Sequence, residues 1–195
     1  MNMMREKEAD IEIGKELSGQ RISTKTITMI AVMTAVICVI APISIPIGPV
    51  PISLGTLAIF FSIYVLGTKR AIMSCLDYLI IGFVGVPVFS GFTGGAAKII
   101  GPTGGYLIGY VPMIIAAGML IDKYDGKPLQ SVMGMILGTL VLYAFGTAWF
   151  CYSADYELFP ALTVCVFPFI IGDLLKIAAV AVLGPQVRKA VKKIG

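Results

Sequence analysis

Histidine is absent from the 195 residues of the chain, which excludes imidazole metal sites, serine-histidine triads and histidine proton relays. Charge is scarce too: 13% of residues are Asp, Glu, Lys or Arg, against about 25% in a soluble globular domain. The four cysteines, Cys38, Cys75, Cys151 and Cys165, stand far apart with no C-x-x-C spacing. They read as small apolar residues rather than as disulfides or metal ligands. No G-x-x-x-x-G-K-[ST] run occurs, so a nucleotide-phosphate cradle is excluded. The two cationic ends lack the interleaved aromatics of a nucleic-acid surface. What is abundant is oil: 57% of residues are apolar, and counting Gly in place of Tyr gives roughly 64%, where a soluble domain has about 45–50%. A chain of this size cannot hide so much apolar surface from water, so its solvent is largely lipid.

Six apolar runs follow: Ile27 to Pro46, Thr56 to Leu66 (extendable back to Pro51), Ala71 to Phe89, Gly104 to Ile121, Val132 to Phe150 and Ala161 to Leu183. They are too long and too continuous for barrel strands, and a backbone in hydrocarbon must satisfy its own hydrogen bonds, so they are helices. The expected fold is an all-α membrane protein, a bundle of six transmembrane helices spanning residues 27–184. Residues 1–26 form a mixed-charge head, flexible or a short interfacial helix, and residues 185–195 a basic tail. Thirteen of the fifteen cations fall in the two ends and in the second and fourth loops, while Lys98 alone lies in the other loops. That bias places both termini in the cytoplasm.

Some residues do not belong in oil. Asp173 and Lys176 lie three apart in the last span, on one helix face. Unpaired, they would cost about 5–7 kcal/mol together on insertion scales. They read either as a mutual ion pair that fixes the bundle or as a polar site for a solute, and we prefer the site. Asp77, in the third span, is read as a site residue or as a carboxylate paired near a helix end. The first loop, Pro42 to Gly55, holds four prolines and two glycines among apolar residues. It is expected to be extended, resting on protein as a lid. The third loop, Phe89 to Tyr106, is rich in glycine and carries Lys98, so its backbone donors can approach a bound molecule. Small residues at four-residue spacing, Ala31 with Ala35, Gly105 with Gly109 and Gly134 with Gly138, let helices approach closely. Such faces pack inside the bundle or, where left outward, dock another membrane protein.

These motifs resemble one family. Gly48-Pro49-Val50-Pro51-Ile52-Ser53-Leu54, Gly85-Val86-Pro87-Val88-Phe89, Gly101-Pro102-Thr103-Gly104-Gly105-Tyr106-Leu107-Ile108-Gly109 and Pro168-Phe169-Ile170-Ile171-Gly172-Asp173-Leu174-Leu175-Lys176, in this order on a six-span chain, are similar to BioY, the biotin-binding S component of energy-coupling-factor (ECF) vitamin transporters. The resemblance covers about Thr26 to Lys189. It implies that Asp173 and Lys176 lie in the vitamin site, that the first and third loops close over it, and that Ala31 and Ala35 contact the coupling subunit. It also implies glutamine where Gly55 stands.

Biotin offers a ureido ring with two N–H donors, an apolar thiophane and a carboxylate, so its site needs an acceptor, donors, apolar walls and a cation. Asp173 is assigned the ureido N–H groups, Lys176 its ion partner and a ligand donor, and Lys98 the carboxylate. Trp149, Tyr106 and Phe89 serve either as walls of the site or as membrane-interface aromatics. The chain has no nucleophile with a base, so it binds without chemistry. Biotin is then a transported ligand rather than a cofactor. Energy would come, as the resemblance implies, from a membrane coupling protein (T component) and two ATPases, in a bacterial plasma membrane. The alternatives are an S component for a different vitamin, a proton-coupled carrier relaying through Asp77 and Asp173, and a membrane enzyme or assembly factor, which needs a larger polar cluster.

Overall fold

A computed structural model of the chain describes residues 23–47 and 50–194. The described backbone is predominantly helical: α1 (Thr24–Ile40), the strands β1 (Ser44–Ile45) and β2 (Ile52–Ser53), α2 (Gly55–Leu66), α3 (Thr68–Phe83), α4 (Ala96–Ile100), α5 (Gly104–Ile108), α6 (Tyr110–Lys123), α7 (Pro128–Ala154), α8 (Leu158–Cys165) and α9 (Phe167–Ile194). Three helical stretches are long and apolar enough to cross a membrane: Gly104–Lys123, Pro128–Ala154 and Phe167–Lys193. Thr24–Ile40 and Gly55–Leu66 are shorter apolar helices.

Proline explains most of the differences from the expected boundaries. The first apolar run continues to Pro46, but α1 stops at Ile40: Ala41 keeps helical angles (φ −62°, ψ −33°) and donates to the Ile37 carbonyl, whereas Pro42 has no N–H with which to carry the ladder on. Beyond it the chain forms a small antiparallel hairpin, with Ser44 opposite Ser53 and Ile45 opposite Ile52, so the fold is not purely helical. The last apolar run is broken at Val166 (φ −125°, ψ −57°). Pro168 then sits in the first turn of α9, where its missing N–H has no partner to lose. The expected tail at 185–195 is instead a continuation of α9 to Ile194, with Pro185 inside the helix. At the other end α1 begins at Thr24, ahead of the expected start, while the head up to residue 22 lies outside the described residues.

The second span is the shortest. Twelve residues rise about 18 Å, well under the roughly 30 Å of a hydrocarbon core. Nine of the twelve are buried, and α2 packs against α1, α3, α6 and α9. It is therefore the centre of the bundle rather than a lipid-facing span, and its length need not match the bilayer. Its Ile59, Phe60, Ile63 and Tyr64 form one core with Ile37, Tyr78, Met113, Ile114 and Val180. The single residue Gly67, at φ +75°, joins α2 to α3.

The spaced glycines do pack inward. A Cβ at Gly134 would lie 2.8 Å from the Ala117 carbonyl and one at Gly138 2.9 Å from the Met113 carbonyl, so both glycines let α6 and α7 meet backbone to backbone. Gly105 and Gly109 press against α7 in the same way, at Trp149 and Leu142. Ala31 and Ala35, by contrast, are exposed on one face of α1.

Candidate functional site

At the hairpin end of the bundle lies a narrow cavity of about 60 Å³, below the roughly 300–1,000 Å³ of small-molecule sites, so a ligand of that size enters only as the covering segments give way. Val50, Pro51 and Ser53 line it from the β2 side, Ser90, Lys98 and Thr103 from the connection between α3 and α5, and α9 contributes Phe169, Asp173 and Lys176. The two covering segments are joined where the Gly91 N–H donates to the Pro42 carbonyl at 3.0 Å, while the Leu54 N–H, donating to the Ile43 carbonyl at 3.0 Å, closes the hairpin of the first segment on itself. Of this first segment Val50, Pro51 and Ser53 reach the cavity, whereas Ile43, Ile45 and Ile47 are exposed.

The charged pair is buried within this space. Lys176 Nζ donates to Asp173 Oδ1 at 2.8 Å and to Thr56 Oγ1 at 3.2 Å. The Tyr143 hydroxyl donates to Asp173 Oδ2 at 2.6 Å. Both charged side chains are only 9% exposed, so each depends on the others for its solvation. The carboxylate oxygens have four lone-pair sites and the ammonium three protons, so the two hydrogen bonds at each group leave two acceptor sites on Asp173 and one donor on Lys176. A solute with N–H donors and a carbonyl acceptor matches that remainder.

The other expected site residues divide. Lys98 and Tyr106 line the cavity. Burial pulls the Lys98 ammonium below the usual lysine range. Tyr106 also donates to the Cys165 carbonyl at 3.1 Å. Phe89 is fully buried but stands behind the wall, edge-on to Tyr78 at 5.5 Å between ring centroids, and Tyr78 is the ring that faces the cavity. Trp149 is likewise displaced: its Nε1–H donates to the Gly101 carbonyl at 3.0 Å, so it anchors the segment that carries Thr103. Asp77 is exposed on α3 and does not line the cavity, which deprives a relay through Asp77 and Asp173 of one end inside the site. At Gly55 a Cβ would stand 2.7 Å from the Tyr110 hydroxyl oxygen, so the volume that a glutamine there would need is already taken by Tyr110.

Four polar cavity residues outside the two loops went unread in the sequence: Thr56, Tyr78, Tyr110 and Tyr143. A signal for them exists. A tyrosine hydroxyl at membrane depth needs a polar partner, and Tyr106 and Tyr110 are one helical turn apart, so the chain places several phenols on inward faces. Tyr143 has a second consequence. Together with Asp173 it also borders an apolar crevice between α7 and α9, lined by Thr139, Leu140, Ile170 and Leu174, so the short Tyr143–Asp173 bond forms part of the partition between cavity and lipid-facing surface.

Comparison with known proteins agrees with this architecture. The model of the BioY family matches residues 13–193. The biotin transporter BioY2 of Lactococcus lactis subsp. cremoris (strain MG1363) is 35% identical over 167 residues, 85% of this chain and 91% of the relative. The biotin transporter BioY of Thermotoga maritima is 35% identical over 158 residues, 81% of this chain and 92% of the relative. A crystal structure of the S-component for biotin from an ECF-type ABC transporter superposes with a TM-score of 0.79 at 29% identity, covering 87% of this chain and 95% of that one.

Proposed function

The chain belongs to the BioY family, and from that premise we propose that it captures biotin in the cavity between the hairpin and α9 as the S component of an ECF-type transporter. The observation that carries this reading is the buried cluster of Asp173, Lys176, Tyr143 and Thr56 facing a roofed space. An ion pair that only fixed the bundle would need no such space. Asp173 accepts the ureido N–H groups, Lys176 and Tyr143 hold that carboxylate in place, and the free donor of Lys176 reaches the ureido carbonyl. Tyr78, Tyr106, Tyr110 and Phe169 supply apolar walls for the thiophane and the chain. Lys98 neutralises the valerate carboxylate, and its lowered pKa reflects a cation drawn partly out of water, where an incoming anion restores what burial removed.

In the bilayer α1, α2, α3, the joined α5 and α6, α7 and α9 act as six crossings with both ends cytoplasmic, in a bacterial plasma membrane. The site then opens on the outside and binds without chemical conversion of the vitamin. The exposed Ala31 and Ala35 face of α1 takes the membrane coupling protein, which with two ATPases supplies the work. Titration calorimetry of the purified chain tests the reading. Submicromolar biotin binding without nucleotide is expected, with dethiobiotin weaker for want of the thiophane. Absence of biotin binding by a folded sample would end it.

A further inference from the structure

The opposite end of the bundle carries a second cavity, and its chemistry differs from the first. It measures about 400 Å³ and lies between the start of α1, the α2–α3 junction and the end of α9. Lys25, Arg70, Arg188 and Lys192 line it, and among the described residues no carboxylate does. Asp122 and Asp125 stand just outside and pair with two of these cations, Arg188 and Lys192. Asp122 Oδ1 accepts from Arg188 at 3.3 Å and its Oδ2 from the Thr68 N–H at 2.8 Å, while Asp125 accepts from Lys192 at 2.7 Å. Arg70 has no ion-pair partner among the described residues. The remaining wall is formed by the apolar Met29, Val65, Leu66 and Val191 together with Thr26, Tyr64 and Gly67.

Arg188 and Lys192 are partly neutralised by Asp122 and Asp125, whereas Arg70 keeps its full charge toward an anion with several acceptor oxygens, and guanidinium groups suit phosphate geometry best. An apolar wall beside them suits an acyl chain, and basic pockets between transmembrane helices at the headgroup level are where anionic lipids are held. We propose that this cavity binds the phosphodiester headgroup of an anionic phospholipid, with Arg70 and Arg188 on the phosphate and the Met29, Val65 and Val191 wall against the first acyl carbons.

The full-length protein, purified in detergent and mixed with phosphatidylglycerol or phosphatidylcholine, is read by native mass spectrometry. Phosphatidylglycerol should be retained at least fivefold over phosphatidylcholine, and millimolar inorganic phosphate should not displace it. Arg70→Gln should lower phosphatidylglycerol retention at least threefold, whereas Arg70→Lys, which keeps the charge, and Lys123→Gln, outside the cavity, should leave most of it. Arg70 is exposed, so its replacement spares the core, and an unchanged melting temperature checks this. Equal retention of the two lipids, or full retention by Arg70→Gln, overturns the proposal. Displacement by inorganic phosphate overturns the lipid source and leaves a free-phosphate site. The outcome does not depend on biotin binding.

Discussion

Whether the Asp173–Lys176 pair serves a ligand or only the bundle can be decided by a double-mutant cycle. Lys176→Met keeps the length of the stem but strips the buried carboxylate of its ammonium at 2.8 Å, leaving Tyr143 as its remaining hydrogen-bond partner among the described residues. Breaking a buried pair from one side costs about 3–5 kcal/mol. Asp173→Asn is milder, because the amide oxygen still accepts from Lys176 or Tyr143. The loss is then a charged hydrogen bond exchanged for a neutral one, about 1–2 kcal/mol. The double variant buries no charge and should recover most of the Lys176→Met loss, since replacing both partners of a buried pair is often neutral. Thermal melting of the unliganded protein in detergent should therefore rank parent and double variant above Asp173→Asn, with Lys176→Met lowest. Calorimetry with biotin should rank them differently: Asp173→Asn weaker by at least tenfold, about 1.4 kcal/mol, and the double variant weakest despite its restored melting temperature. A double variant that both melts and binds as the parent does would show that the pair is scaffold, and the ligand assignment would fall.

Other outcomes follow from the same geometry. Lys98→Gln should weaken biotin about tenfold and leave biotin methyl ester unchanged in calorimetry. Because burial lowers the Lys98 pKa, the parent's preference for the acid over the ester should fade as pH rises through that lowered value, earlier than for an ordinary lysine, and the variant should show no such fade. Gly138→Leu forces a side chain against the Met113 carbonyl and the Ala117 methyl. Overpacking of that kind costs about 1–3 kcal/mol, so a lower melting temperature is expected, and an unchanged one would deny the α6–α7 backbone contact. Ala35→Leu, on the exposed face of α1, should leave biotin affinity unaltered while reducing co-purification with the coupling protein. Lys192, first by its hydrogen bond, and Arg188 hold the Asp125 carboxyl below its ordinary 3.8. Its contribution to stability is thus present above 3.8 and lost as pH falls through the lower folded value, and Lys192→Ala should move the Asp125 titration, followed by NMR, back toward 3.8.

The sequence was legible where one physical rule acts alone. Apolar length against charge scarcity located the helical regions, and the cost of Asp173 and Lys176 in oil marked the residues at the heart of the cavity. It was less legible where two rules compete. At the first loop the apolar run argued for helix as far as Pro46, whereas Pro42 argued for extended chain, and the missing proline N–H won over hydropathy. At Val166 the run was equally continuous, and only Pro168 announced the helix start; at Pro185 the same residue type announced a stop that did not come. No single rule about proline covers both places, because at α9's first turn the ring loses no bond, while at Pro185 the rest of the helix sustains the one bond lost. The aromatic residues posed a harder problem. Hydropathy weighs Trp149 and Phe89 as readily as Tyr78 and Tyr143, so the ring facing the cavity cannot be chosen from composition. Hydrogen-bonding capacity does discriminate: a phenol in oil must find an acceptor, Tyr143 finds Asp173, and Phe89, with nothing to offer, packs behind Tyr78. The useful question for a polar site in a membrane bundle is therefore which side chains at that depth must hydrogen-bond rather than which are large. Put to this chain, that question selects Tyr78, Tyr106, Tyr110 and Tyr143, which share the cavity with the buried ion pair, and also Tyr64, buried on α2, which lines the opposite cavity instead.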